Sequence, residues 1–326
     1  MKSILSILLV YFVLLPASAS FGQTPPSGKV VITGVRFAYP LVEKWIQDYK
    51  AANPDVQLQI EPRTVTDPSQ YDLLIEAYEP DDKQKESREY LYLARYALLP
   101  VANSKSAFAR TYADKGLTKE RIKQIYFNDL TAGKKGDDVI DASTYTLYTR
   151  LQKAGAPITF AHYFGYQQAN IKGKAIAGAD EHLIKSLLRD STGVSYSVPG
   201  LIYDVTTRQP LAGLVILPVD ADDNGRVAAS EKFYGNLDEV ISKIEAETPK
   251  NIPTEHLHLS IDKNSTNAEA LKFLKWVAQN SQEGLHSFGF LKPDSKRFQQ
   301  SQEKVSAADA EALKARKANG GAASKN

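Results

Sequence analysis

Cysteine is absent from all 326 residues, and the chain has one methionine and two tryptophans. Without cysteine there is no disulfide framework and no thioether-linked lipid at the N-terminus, so the fold must be held by packing alone. Charge of one sign is not in excess either. The 40 Lys and Arg residues face 38 Asp and Glu, which leaves no basic field to draw the protein onto nucleic acid. Long hydrophobic runs are confined to "MKSILSILLVYFVLLPASASFGQ", where a lysine, an apolar run from Ile4 to Leu15 and the small residues Ala17, Ser18 and Ala19 lay out a cleaved secretory signal. That run is too short to span a bilayer and nothing comparable follows it. We expect a signal peptide over 1–22, no membrane anchor, and a periplasmic or secreted mature protein. No Gly-x-Ser-x-Gly elbow, P-loop or His-Glu-x-x-His pattern occurs, so nothing supports catalysis and the chain reads as a non-enzyme.

What is present is a globular pattern, with 43% hydrophobic residues, enough for a sizeable core. "KVVITGV" is a short β-branched strand. It runs into a helix whose apolar face is Leu41, Val42, Trp45, Ile46 and Tyr49, with Pro40 in its first turn. "VQLQIE", "YDLLIEAY" and the long apolar "YLARYALLPVAN" supply further strands, giving the strand-helix-strand order of a parallel α/β unit. Helices are expected at "SAFARTYADKG", "LTKERIKQIYFNDL" and "DEHLIKSLLRDS", the last capped by Asp180, with a turn near Lys134 to Asp138. A strand at Gly213 to Val219, a helix at "NLDEVISKIEA", a strand at "EHLHLSID" and a helix at "NAEALKFLKWVAQN" follow. The polar tail from Gln299 is expected to fray.

"GVRFAYPLVEKWIQDY", "YALLPVAN", "LTKERIKQIYFNDL", "YTRLQKAGAPITFAHYFG", "GVSY" and "EALKFLKWVAQNSQEGLHSFGF" occur in that order from Gly34 to Phe290. In these segments the chain resembles the periplasmic phosphate-binding proteins of ABC importers and, more widely, type II periplasmic binding proteins. The resemblance implies an α/β fold of two lobes, each a mixed sheet flanked by helices, joined by hinge strands near Leu98 to Asn103 and Gly193 to Tyr203. The first lobe would comprise 23–98 and 197–298, the second 99–196, with 299–326 as the tail. The implied function is delivery of a small oxyanion, phosphate-like, to an ABC transporter permease by a monomeric binding protein. The alternative is a non-transport sensor or scaffold of the same fold that takes a carboxylate or another ligand.

A short strand, Gly34 and then a helix aim backbone N–H groups and a helix dipole at one point, which suits an anion. The resemblance puts Arg36 and Phe37 at that turn, where Arg36 either adds charge to the pocket or faces solvent. It also puts Thr64 and Thr66 after the second strand, with Glu76 as the proton-accepting carboxylate and Asp72 as the other choice. Arg150 ends "TYTLYTR", where a guanidinium can grip an oxyanion bidentately, and Gly155 matches the glycine of the family's Ser-Gly-Thr turn. Ala154 and Ala156 stand where that turn carries its hydroxyls, a departure that weakens phosphate as ligand; Thr159 is a substitute only if the turn is arranged differently.

"DADDNGRVAASE" has the spacing of a calcium loop. Asp220, Asp222 and Asn224 stand at positions one, three and five, Gly225 at the turn, Arg226 offering its carbonyl, and Glu231 at twelve. A strand precedes it, so a structural Ca2+ supporting the first lobe is expected, and not a signalling switch; a solvated acidic turn is the plainer alternative. His256 and His258 share a strand face beside Glu255, and Asp81 and Asp82 lie in a charged, turn-like segment.

Overall fold

The computed structural model describes residues 29–128 and 140–323. The expected signal segment and the turn near Lys134 to Asp138 lie outside the described residues. The first lobe opens with β1 (Lys29–Gly34), α1 (Tyr39–Ala52), β2 (Gln57–Ile60), β3 (Leu73–Glu76), α2 (Asp82–Ser87) and β4 (Arg88–Ala97). The apolar stripe read from the sequence is the buried face of α1, and Leu41, Val42, Trp45, Ile46 and Tyr49 are all covered. The charged segment around Asp81 is more than a turn: Asp81 caps α2, accepting from the Gln84 N–H while Gln84 bonds back to the Asp81 N–H.

β4 runs directly into β5 (Leu99–Asn103), so the apolar run "YLARYALLPVAN" is divided at Leu98 between two sheets. The second lobe then adds α3 (Ala107–Lys115), α4 (Lys119–Tyr126), β6 (Thr146–Arg150), α5 (Gly155–Tyr163), β7 (Lys174–Ile176), α6 (Asp180–Arg189), β8 (Gly193–Ser197), α7 (Pro199–Ile202) and β9 (Leu214–Ile216). It is followed by α8 (Leu237–Glu247), β10 (Thr254–Asp262), α9 (Ala268–Asn280) and α10 (Ser295–Ala323).

The first sheet has the order β2-β1-β3-β10-β4 and the second β7-β6-β8-β5-β9. β1 is parallel to β2 and β3, whereas β10 is antiparallel to β3 and β4. In the second sheet β6 is parallel to β7 and β8, and β5 antiparallel to β8 and β9. Two expectations are corrected here. Gly193 to Tyr203 is not the return crossing, because β8 pairs with β5 inside the second sheet. The strand near Gly213 to Val219 belongs to the second lobe, since Val101, Ala102 and Asn103 of β5 pair with Ile216, Val215 and Leu214. The chain rejoins the first sheet only at β10.

The tail corrects a third. α10 packs against β4, with Ser301 and Val305 buried, and the Ser301 hydroxyl accepts the Tyr92 N–H at 3.2 Å. β4 is an edge strand, so its outward N–H groups need partners, and α10 covers them. The second core is aromatic: Phe160 stacks on Tyr196 at 4.1 Å between ring centroids, and Phe127 on Tyr166 at 4.3 Å.

Candidate functional site

The Gly34 turn is spent on internal bonds. Gly34 has φ of +135°, and a Cβ there would fall 2.0 Å from the Ile75 oxygen, so only glycine lets β1 pass β3 this closely. The Val35 N–H donates to Ile75 O at 3.0 Å, and the hydroxyls of Thr64 and Tyr39 both donate to Gly34 O. Thr66 is exposed and Arg36 half-buried. Phe37 is core, its ring 5.2 Å from Tyr96 and 6.2 Å from Phe290.

The start of α5 is where the second lobe meets the first. A Cβ on Gly155 would come within 2.8 Å of both Cβ and O of Ala77, so the helix start packs directly on the chain leaving β3. The Ala77 carbonyl accepts from the Tyr96 hydroxyl and from Thr159 Oγ1, and the two hydroxyls lie 2.8 Å apart. Thr159 is buried. Ala154 and Ala156 bring no hydroxyl to this corner, and the Ala77 carbonyl packs beside Gly155 there.

Arg150 ends β6 and lines a cavity of about 720 Å³ with Tyr78, Thr149, Lys153, His162 and Gln168. Tyr78 is its first-lobe wall, so Arg150 borders a cavity to which both lobes contribute. Nη1 of Arg150 bonds Asp180 at 2.8 Å, and both side chains are about nine-tenths buried. Asp180 is the first residue of α6, not its N-cap: Ala179 holds that place and the carboxylate is drawn to Arg150. Burial raises the Asp180 pKa, opposed by Arg150, so desolvation outweighs the pairing. Nε of Arg150 and Oε1 of Gln168 are buried without a hydrogen-bond partner. The arrangement therefore offers a partly compensated guanidinium, a lysine, an imidazole and an amide to one cavity, which is a recognition set for a small anion.

Glu76 does not line that cavity. It pairs in register with His258 in the first sheet, within 3.4 Å of the Ser260 hydroxyl and of the hydroxyl of Tyr78, the cavity's first-lobe wall, and burial raises its pKa against the attraction of Arg88. Tyr90, Tyr92, His256 and His258 share one face of that sheet, with ring centroids 5.2–5.4 Å apart. His258 is fully buried and neither ring nitrogen has a partner. Burial drives the His258 pKa down to about 3 and that of His256 to about 4.

In the 220–231 loop, oxygens of Asp220, Asp222 and Glu231 lie within 4.8 Å of one another. Asp220 accepts the N–H groups of Asn224 and Gly225, and Glu231 those of Ala221, Asp222 and Ala228. Asn224 Oδ1 accepts the Arg226 N–H at 3.1 Å. Burial, with Asp222 and Glu231 close by, raises the Asp220 pKa, an electrostatic load that a hard cation would relieve. Leu117 bridges Val219 and Val227 packs on Gly116, which ties the loop to the connection between α3 and α4, while Asn251 bonds Asp220 O and Asp223 and the Lys250 N–H bonds Ala221 O, which ties it to the segment entering β10 of the first sheet.

Sequence reasoning missed Tyr96, Asp180, Lys153 and His162. Tyr96 lay inside an apolar run and Asp180 looked like a cap; only the pairing of Arg150 with an acid at a helix start could have flagged the second.

The fold and the crevice together define a class: the chain has the two-lobed fold of type II periplasmic binding proteins, with one five-stranded sheet per lobe. No family model matches the chain, and no curated protein does. Among solved structures it is similar to a protein from Clostridium perfringens, provisionally described as a phosphate ABC transporter substrate-binding protein with bound phosphate (14% identity, TM-score 0.58, covering 82% of this chain and 100% of that one). It is also similar to an ABC-type phosphate transport receptor from Vibrio cholerae (12% identity, TM-score 0.51, covering 81% and 100%). A third, from Planctomyces limnophilus, is provisionally described as a phosphate-binding protein (13% identity, TM-score 0.51, covering 86% and 99%). At these identities the likeness is one of fold.

Proposed function

We propose that the protein is a secreted or periplasmic solute-binding protein that takes a small anion into the crevice beside Arg150 and delivers it to an ABC transporter in the membrane. The observation that carries this reading is the buried Arg150 guanidinium, with Nε unpartnered, lining a cavity that both lobes wall. Lys153 and His162 add positive character, and lobe closure over an anion follows from tighter binding to the closed state. Among the described residues no helix is long and apolar enough to cross a membrane. The solved structures of similar fold are described as phosphate-binding proteins, which supports a small anionic ligand.

A second reading, a sensor or scaffold that binds a carboxylate or another ligand without transport, is favoured by one specific observation: the Ala77 carbonyl sits at the start of α5, next to Ala154 and Ala156. The missing hydroxyls at Ala154 and Ala156 weaken phosphate as the ligand and leave a carboxylate as the alternative. A thermal-shift screen of phosphate, sulfate and carboxylates, repeated on Arg150→Lys, tests the site. The lysine keeps a cation beside Asp180 but loses the planar fork. We expect at least one anion to raise the melting temperature of the wild type, with the shift reduced in the variant; equal shifts in both would sink the assignment of Arg150. As a structural ion, Ca2+ held by Asp220, Asp222 and Glu231 would pin the turn that leaves β9 against the connection between α3 and α4.

A further inference from the structure

The cavity beside Arg150 does not end at the second lobe. Tyr78, Ile158 and His162 are also walls of a neighbouring chamber of about 320 Å³, completed by Glu79, Tyr163, Thr254 and Glu255. Thr254 and Glu255 in turn wall a third chamber of about 550 Å³, where Arg95, Lys296 and Arg297 gather around His256 and outnumber the carboxylates of Glu255 and Asp294. The Glu79–Arg297 ion pair, 2.8 Å long, reaches from the middle chamber to the third. Arg95 spends its Nε on Lys292 O, Lys296 is exposed, and His256 Nδ1 is buried without a partner.

Resting on the anion reading above, we propose that these chambers form one extended subsite and that the ligand is a linear molecule with an anionic group at each end and an uncharged spacer. One end meets Arg150 and Lys153, and the other meets Arg95 and Lys296. Charge argues for the spacer: Glu79 and Glu255 line the middle chamber and repel a continuous run of negative charge, whereas Tyr78, Ile158 and Tyr163 offer apolar surface to an aliphatic segment. Aliphatic α,ω-dicarboxylates satisfy this pattern, and polyphosphate does not.

The test is titration calorimetry on the whole protein with succinate, adipate, suberate and sebacate, each against the monocarboxylate of the same length, with tripolyphosphate as a further arm. One dicarboxylate length should bind about tenfold or more tighter than its monocarboxylate, the gain worth one charge-assisted contact. Lys296→Gln and Arg95→Gln should erase that gain while leaving monocarboxylate affinity unchanged. Both side chains lie outside the Arg150 cavity, so unchanged monocarboxylate binding also reports that each variant is folded. Equal affinity of both series at every length, an unaltered gain in both variants, or tighter binding of tripolyphosphate would overturn the extended subsite. Failure of every anion to bind would instead remove the reading on which it rests.

Discussion

His258 should make the protein lose stability as the pH falls, and replacing it by phenylalanine should remove that loss. The imidazole is fully buried, stacked on Tyr92 at 5.3 Å, and neither nitrogen is bonded. Its folded pKa of about 3 lies below the unfolded value of about 6.5. Between those values the unfolded chain holds a proton that the folded one does not, so the stabilising contribution is complete above about pH 6.5 and shrinks as the pH falls. The slope is about 1.4 kcal/mol per pH unit, or about 3 kcal/mol between neutrality and pH of about 4. Glu76 and Glu255, whose pKa values burial raises, act in the opposite direction: their contributions are present at low pH and fade as the pH rises through the folded values. Those contributions cancel when His258→Phe is compared with the wild type, because both proteins carry them. His256, half-buried with a pKa of about 4, adds a smaller loss of the same sign as His258 and cancels too. Urea unfolding at a series of pH values gives the difference directly. At neutral pH the variant should be at least as stable as the wild type, since it removes two unbonded nitrogens, each costing about 1–3 kcal/mol, against any overpacking of the larger ring. Between neutrality and pH of about 4 the difference should move a further amount of about 3 kcal/mol in the variant's favour. Parallel stability curves for the two proteins would refute the reasoning.

Gly155→Ala places a methyl against Ala77 and should part the lobes at that corner; small-angle scattering should show a larger radius of gyration, and an unchanged profile would mean the contact is not a lobe contact. Ca2+ should raise the melting temperature and a chelator reverse it, with Glu231→Gln losing the response; no response in the wild type would leave the loop as an acidic turn satisfied by its own N–H groups. Gly34→Ala should cost about 3 kcal/mol or more by chemical denaturation, because φ of +135° and the Ile75 oxygen both exclude a Cβ.

Where local periodicity carried the information, the fold was legible. The α1 face and the strand at "EHLHLSID" follow from apolar spacing alone. The assignment of strands to lobes was not, because Leu214–Ile216 is equally apolar in either sheet and only its pairing with β5 decides. α10 was misread for a related reason: its composition is polar, and among the described residues Ser301 and Val305 are its buried side chains, set against a sheet edge that no sequence pattern announces. In the site, Arg150 was legible as a guanidinium at a strand end. Its commitment to Asp180 and the packing of Ala77 on the α5 start were not, because both depend on contacts between segments far apart in the chain.

The central claim is that an anion is held beside Arg150 within the crevice, and a crystal structure of the anion complex tests it most directly. The account predicts ligand density within hydrogen-bond reach of the Arg150 guanidinium and Lys153. Density instead between the Gly34 turn and the start of α5, with Ala77 displaced, would contradict it.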